Sequence, residues 1–250
     1  MIRVLCMAVG CVFALAGCFD IEQRIELNED MSGTATITMA IDMEPMAYVG
    51  AMMERAMSGQ EGEPTEAEIA AARQEMIEQQ TDDEMPDAAA VKAAAKESLP
   101  DGIRLVSADF TQEELKVRYV MTLAFDNVSD LGDLELANPQ GVEDDGSNPM
   151  DKPFEGLKIV DEGDTLLITS EPLNPAKDQM ESGQIPPEGE EIFRRVMGGL
   201  RVAFILKTPF EAIEHNTTRV DGDTLYWEYD AQALMGQAGT AEPIRARFRK

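Results

Sequence analysis

Histidine occurs once in this 250-residue chain, at His215, which excludes any multi-histidine metal site. Set between Glu214 and Asn216, that ring is expected to hydrogen-bond locally and orient a strand end. Cysteine occurs three times, at Cys6, Cys11 and Cys18, all near the start. If the leading segment is cut before Cys18, no intrachain disulfide can form and stability must come from the packed core. Aromatics are sparse, with nine Phe, four Tyr and one Trp against sixteen Met, so that core must be mostly aliphatic and methionine. Basic residues are few: Lys and Arg number 21 against 48 Asp and Glu, a formal charge of −27. Such a field repels nucleic acid and anionic headgroups over a screening length of about 10 Å, so no nucleic-acid partner is expected. No glycine-rich phosphate loop follows a strand, and Gly198-Gly199 reads as a helix stop.

The uncharged apolar run from Val4 to Ala16, preceded by Arg3, is too short for a bilayer span of about 20 residues. A positive start, a short apolar middle and small residues before a cut are the parts of an export signal. The run ends in Leu15-Ala16-Gly17-Cys18, which resembles the lipobox of bacterial lipoproteins. That resemblance implies cleavage after Gly17 and an acylated Cys18 as first residue of the mature chain, residues 18–250, held to a lipid bilayer by its acyl chains. A cleaved secretory signal with a chance cysteine would leave a soluble protein instead, and an uncleaved segment a helical anchor. Cys11 is the rival acceptor, but Ala8-Val9-Gly10 lacks the large aliphatic residue and would cut the apolar run short. Phe19 follows the cysteine where some bacteria use aspartate for inner-membrane retention, which favours the periplasmic face of the outer membrane.

Beyond Cys18 the periodicity is that of strands. Phe19, Ile21, Ile25 and Leu27 share one parity and charges fill the other, the pattern of a half-buried strand. Asn28 to Gly33 supplies a turn, and Ala35, Ile37, Met39 and Ile41 alternate with threonines to complete a hairpin. From Asp42 the period becomes helical, with Met46, Val49, Gly50, Met53 and Met57 on one stripe and Pro45 tolerated in the first turn. The acidic stretch 58–87 has Arg73 as its one basic residue, yet Thr65-Glu66-Ala67-Glu68 reads as a capping box opening a surface helix over Thr65–Gln79. A third helix is expected from Asp87 to Leu99, stopped by Pro100 and Gly102. Strands return at Ile103–Phe110 and Leu115–Phe125. A hairpin follows at Leu157–Val160 and Thr165–Thr169, and a short helix at Glu188–Gly198. Val202–Leu206 is apolar on both parities, as a doubly covered central strand would be. A last hairpin pairs a strand ending at Val220 with Leu225–Tyr229. The tail Pro243–Lys250 alternates apolar with basic and reads as a closing edge strand. The loops at 138–153 and 171–187 are rich in Pro, Gly and acidic residues and read as flexible insertions, like the flanks of the 65–79 helix.

Acidic pairs are so numerous that their spacing carries no information about catalysis. Glu143-Asp144-Asp145-Gly146-Ser147-Asn148 offers calcium-like ligands without the EF-hand spacing and reads as solvated charge. No nucleophile–base pair stands out, so no enzyme, cofactor or metal is expected. Methionine is the more informative signal. Met46 just before Tyr48, and Met52, Met53, Met57, Met76 and Met85 after it, cluster where no aromatic occurs between Tyr48 and Phe110. Flexible thioethers suit an adaptable apolar surface and equally suit an ordinary core. Met46, Val49, Met53 and Met57 are the candidate ligand-binding residues.

Two parts of the chain resemble a known family. Cys18-Phe19-Asp20-Ile21-Glu22-Gln23-Arg24-Ile25-Glu26-Leu27 runs into a Ser-Gly-Thr turn and a threonine-rich strand. Thr208-Pro209-Phe210, Glu214-His215-Asn216 and Thr224-Leu225-Tyr226-Trp227-Glu228 follow near the C-terminus. Both resemble LppM-type bacterial lipoproteins, which implies an antiparallel α+β domain with a cavity between sheet and helices for lipid. This chain differs from that pattern in its acidic insertions and in having no C-terminal transmembrane helix. The expectation is a single α+β domain over 18–250, an antiparallel sheet built from hairpins with several helices on one face. It would be a non-enzymatic, membrane-anchored protein that binds a lipid or other apolar ligand between sheet and helices, or else an assembly module for an envelope protein partner, without a cavity.

Overall fold

A computed structural model describes residues 19–60, 62–82, 92–93, 96, 99–136, 152–171, 198–234 and 241–250. Cys18, the calcium-like loop, nearly all of 171–187 and most of the helices expected at 87–99 and 188–198 lie outside the described residues; of the first of these helices, residues 92–93 and 96 are described and helical.

Two sheets carry the fold. The first has seven strands in the order β3-β4-β2-β1-β7-β10-β9. These are β1 (Phe19–Leu27), β2 (Gly33–Asp42), β3 (Ile103–Glu113), β4 (Lys116–Phe125), β7 (Arg201–Lys207), β9 (Arg219–Asp221) and β10 (Thr224–Asp230). All neighbours are antiparallel except β1 and β7. The second has four antiparallel strands ordered β5-β6-β11-β8: β5 (Lys158–Asp161), β6 (Thr165–Thr169), β8 (Glu211–His215) and β11 (Arg245–Arg249). Helices α1 (Glu44–Met57), α2 (Glu66–Asp82) and α3 (Ala231–Leu234) and a 3₁₀ turn (Val128–Asp133) complete the described elements. The α+β class and the antiparallel hairpins are as the sequence predicts.

Register explains the core. Ile25 pairs with Ala35 and Leu206, Ile37 with Met121, Phe204 with Trp227 and Leu206 with Leu225, so one face of the large sheet is continuously apolar. Leu166, Ile168, Ala246 and Phe248 of the small sheet join that face in one buried cluster, closed by Leu131, Leu134, Phe154 and Leu234. Phe204 and Trp227 meet at 5.8 Å between ring centroids, tilted by 57°. The face is therefore covered chiefly by a second sheet. Ala47, Ala51 and Ala72, buried in α1 and α2, stand outside this cluster. The opposite face is mostly polar, with Ala203 and Ile205 of β7 buried on it: Thr36 and Thr122 share a hydrogen bond, and Arg201 bridges Asp20 and Glu228 at 2.8 Å each.

Gly33 is required where β2 begins, since a Cβ there would lie 2.1 Å from the Glu26 carbonyl oxygen and 2.7 Å from the Phe125 ring. Three readings change. The β3–β4 turn is tighter than expected, with Glu114 at φ 53 and Leu115 fully buried. A strand at Glu211–His215 emerges that alternation alone does not reveal, because its side chains are mostly exposed. The tail forms a strand but not an edge, because β11 lies between β6 and β8 with Ala246 and Phe248 fully buried. Its basic residues pair with neighbouring strands and turns, Arg245 with Glu214, Arg247 with Glu162 and Arg249 with Glu211.

Candidate functional site between two helices

α1 starts directly from β2. The Asp42 side chain accepts from the Glu44 N–H at 3.0 Å, and Pro45 sits in the first turn where its missing donor costs nothing. The helix ends at Ser58, with Gly59 in the left-handed region at φ +69. α2 opens with the predicted capping box: the Glu68 N–H donates to Thr65 Oγ1 at 3.3 Å, and the Thr65 N–H donates back to Glu68 Oε2 at 2.6 Å. Glu68 also accepts both bonds of Arg55 Nη1, at 2.7 and 2.9 Å, which ties the end of α1 to the start of α2. The Thr65 backbone N–H, then the Thr65 hydroxyl and Arg55, hold the Glu68 carboxyl below its usual range. Arg73 donates to Glu44 at 2.8 Å and to Glu114, fixing α2 to the start of α1 and to the β3–β4 turn.

Small residues set the closeness of the pair. Pro45, Ala47 and Ala51 are the buried residues of α1, and a Cβ on Gly50 would lie only 3.7 Å from Ala72 Cβ. Of the two roles open to the methionine stripe, core or adaptable surface, the exposures fit the surface. Met46 is 42% exposed, Met53 59% and Met57 87%, while Val49 is half-buried. Burial belongs to the neighbouring alanine stripe, because only small side chains admit so close a helix. The i, i+4 spacing of Ala47 and Ala51 and the run Ala70-Ala71-Ala72 are the signals that could have revealed it.

Gly50 and Ala72 also border a groove of about 550 Å³ between the helices. Met53, Met57 and Met76 line it together with Glu54 and Glu75. Met46 and Val49, two of the four candidate residues, do not line it, and Met76 from α2 joins it instead. The groove lies between two helices and not between helices and sheet. Glu75 accepts a hydrogen bond from Gln79 Nε2 at 3.2 Å, and neither Glu54 nor Glu75 has a cationic partner among the described residues. The arrangement offers apolar, deformable area with negative charge beside it.

Elsewhere His215 is exposed and pairs with Ala246 through the backbone. The orienting role expected of it belongs to Asn216, whose Oδ1 accepts from Trp227 Nε1 and the Arg245 N–H at 2.9 Å each. Among the described residues no group of three or more His, Cys, Asp or Glu is placed to hold a metal ion, and no helix is long and apolar enough to cross a membrane.

No protein-family model matches the chain, and no curated protein matches it. Among solved structures it is similar to the folded domain of the Mycobacterium tuberculosis LppM protein, determined by NMR. Identity is 11% over 94% of this chain and 91% of that one, with a TM-score of 0.45.

Proposed function

We propose that this chain is an exported, lipid-anchored envelope protein that acts by binding and not by catalysis. The groove between α1 and α2 receives the apolar part of its ligand, a lipid or a partner's apolar segment. The observation that carries this reading is the open methionine wall: α1 holds four methionines and neither leucine nor isoleucine, and three of the four stand 42% or more exposed. Flexible thioethers on a surface shaped by fixed alanines accommodate ligands of varied shape, and a volume near 550 Å³ falls within the usual range of about 300–1,000 Å³ for organic ligands.

The lipobox supports the anchor, and the start of β1 gives it an orientation. Phe19 is already paired with Ile41 one residue after Cys18, and α1 follows β2 within a few residues of Ile41. An acylated Cys18 would hold this end of the large sheet, and with it the start of α1, at the bilayer surface, on the periplasmic face of the outer membrane. Changing Cys18→Ser should move the protein from the membrane fraction to the soluble fraction. Unchanged partitioning would refute the anchor. Native mass spectrometry of the released protein should show retained lipid; a spectrum free of lipid, with no stoichiometric uptake of fluorescent lipid, would refute lipid as the ligand. The second reading, an envelope protein as partner, is favoured by Glu54 and Glu75, which suit basic side chains better than anionic headgroups.

A further inference from the structure

The two helices of the groove are antiparallel. Contacts that climb α1 descend α2: Glu44 meets Arg73, Gly50 faces Ala72 and Arg55 meets Glu68. The lining therefore runs in opposite directions from the Gly50–Ala72 contact, through Met53 and Met57 on α1 and through Met76 and Gln79 on α2. From Gly50 to Met57 one way and from Ala72 to Gln79 the other, at a rise of 1.5 Å per residue, the lining extends about 20 Å. Each half of this trough combines a thioether with a carboxylate. Met53 and Met57 stand i, i+4 with Glu54 beside them, and Glu75 and Met76 follow Ala72 at i+3 and i+4, on the same helix face. No lysine or arginine is among the lining residues, because Arg55 is held by Glu68 and Arg73 by Glu44 and Glu114.

A long trough between two helices has the shape that a third helix fills, by laying one ridge of its side chains along it. Methionine walls adapt to ridges of varied shape, and Met53 and Met57, at 59% and 87% exposed, leave such a ridge open access. Carboxylates in both halves match lysine or arginine on either side of the ridge and repel acidic segments and anionic headgroups. We propose that the trough docks a basic amphipathic helix of about 14 residues from a partner protein. Its apolar ridge lies on Met53, Met57 and Met76, and its cationic flanks lie against Glu54 and Glu75. The proposal rests on the reading of this groove as an apolar binding site and names its occupant. Docking leaves the Arg55 and Arg73 ion pairs in place, so the helix pair receives the partner as a preformed surface.

The test uses the full chain carrying Cys18→Ser and a fluorescein-labelled synthetic helix of about 14 residues, with leucine at the ridge positions and lysine elsewhere. Fluorescence anisotropy should show saturable binding of one helix per chain, weakening as salt is raised. The same residues in scrambled order keep the charge without the ridge, and a version with glutamate for lysine keeps the ridge without the charge. Both should bind about tenfold more weakly or worse. Glu54→Gln with Glu75→Gln should weaken the lysine helix about fivefold. Glu29→Gln with Glu155→Gln, two exposed carboxylates outside the groove, should leave it unchanged. Met53→Gln, Met57→Gln and Met76→Gln together should abolish binding. If that triple variant loses its native circular dichroism, Met57→Gln alone, at the most exposed of the three positions, must still weaken it. Equal binding of ordered and scrambled helices, or equal effects of the groove and distant carboxylate pairs, would overturn the proposal. Lipid uptake by a chain that does not bind the lysine helix would overturn it while leaving the groove reading intact, and uptake of neither would remove both.

Discussion

Asn216 joins three parts of the fold with one amide. Its Oδ1 accepts from the Trp227 indole of β10 and the Arg245 N–H of β11, and its Nδ2 donates to the Pro243 carbonyl at 2.8 Å. Trp227 is 2% exposed, so Asn216→Ala would strand its buried indole donor as well as a backbone donor, at a cost of about 1–3 kcal/mol for each group left unpaired. Urea unfolding should show a loss of about 2 kcal/mol or more, where His215→Ala, at an exposed site, should show little. Tyr229 makes a second prediction at this scale. Burial, aided by the nearby Glu242 carboxylate, pushes its hydroxyl up to about 12, and the hydroxyl donates to the Glu242 carbonyl at 2.8 Å. The folded state thus favours the neutral phenol. Its contribution is complete below the unfolded value of about 10 and is lost as pH rises from there through the folded value near 12. Alkaline unfolding curves should steepen in that window, and Tyr229→Phe should remove the added slope. Glu68 and Asp161 have the opposite sign. The Thr65 hydrogen bonds lower the first, and Lys250 with the Gly163 N–H lowers the second. Their contributions are present above the unfolded carboxylate value of about 4 and are lost as pH falls through the folded values. Acid unfolding of Glu68→Gln should show a shallower pH dependence.

At the level of elements, α1 and α2 depend on small residues. Ala51→Leu would force a branched side chain into a buried position beside Ala67 and Ala71 of the facing helix, with an expected loss of about 1–3 kcal/mol in thermal or denaturant unfolding. Thr65→Ala removes the hydroxyl of the capping box and should cost about 1 kcal/mol. Most strands of the large sheet were legible because one face is apolar and the other polar, so Ile25, Ile37 and Leu123 announce themselves by parity, while Phe204 sits in a run apolar on both parities that reads as a central strand. The capping box was legible because it is a local exchange of two hydrogen bonds. Three features were not. Glu211–His215 hides as a strand because Glu211, Ile213, Glu214 and His215 are all exposed, leaving no alternation to read. The tail's place inside its sheet depends on β8, so the tail read as an edge once that strand was missed. The direction of the methionine stripe depends on which stripe meets α2, and hydrophobicity alone ranks Met above Ala although close packing prefers Ala.

For the whole molecule, an acidic chain with one histidine has spent its ordered polar groups on pairing strands and pinning helices. Arg24, Arg104, Arg201, Arg245, Arg247 and Arg249 all sit in ion pairs on or beside the sheets. Met53 and Met57 of α1 and Met76 of α2 line one groove instead. Function by binding at that groove is the central claim, and methionine-methyl NMR tests it most directly. The chain carrying Cys18→Ser and ¹³C-methyl methionine would be titrated with lysophosphatidylcholine below its micelle concentration, the methyls being assigned by single Met→Leu changes. The account predicts saturable shifts of Met53, Met57 and Met76, with fully buried Met121 unmoved. Shifts spread evenly over all exposed methyls, or none at the three groove methionines, would contradict it.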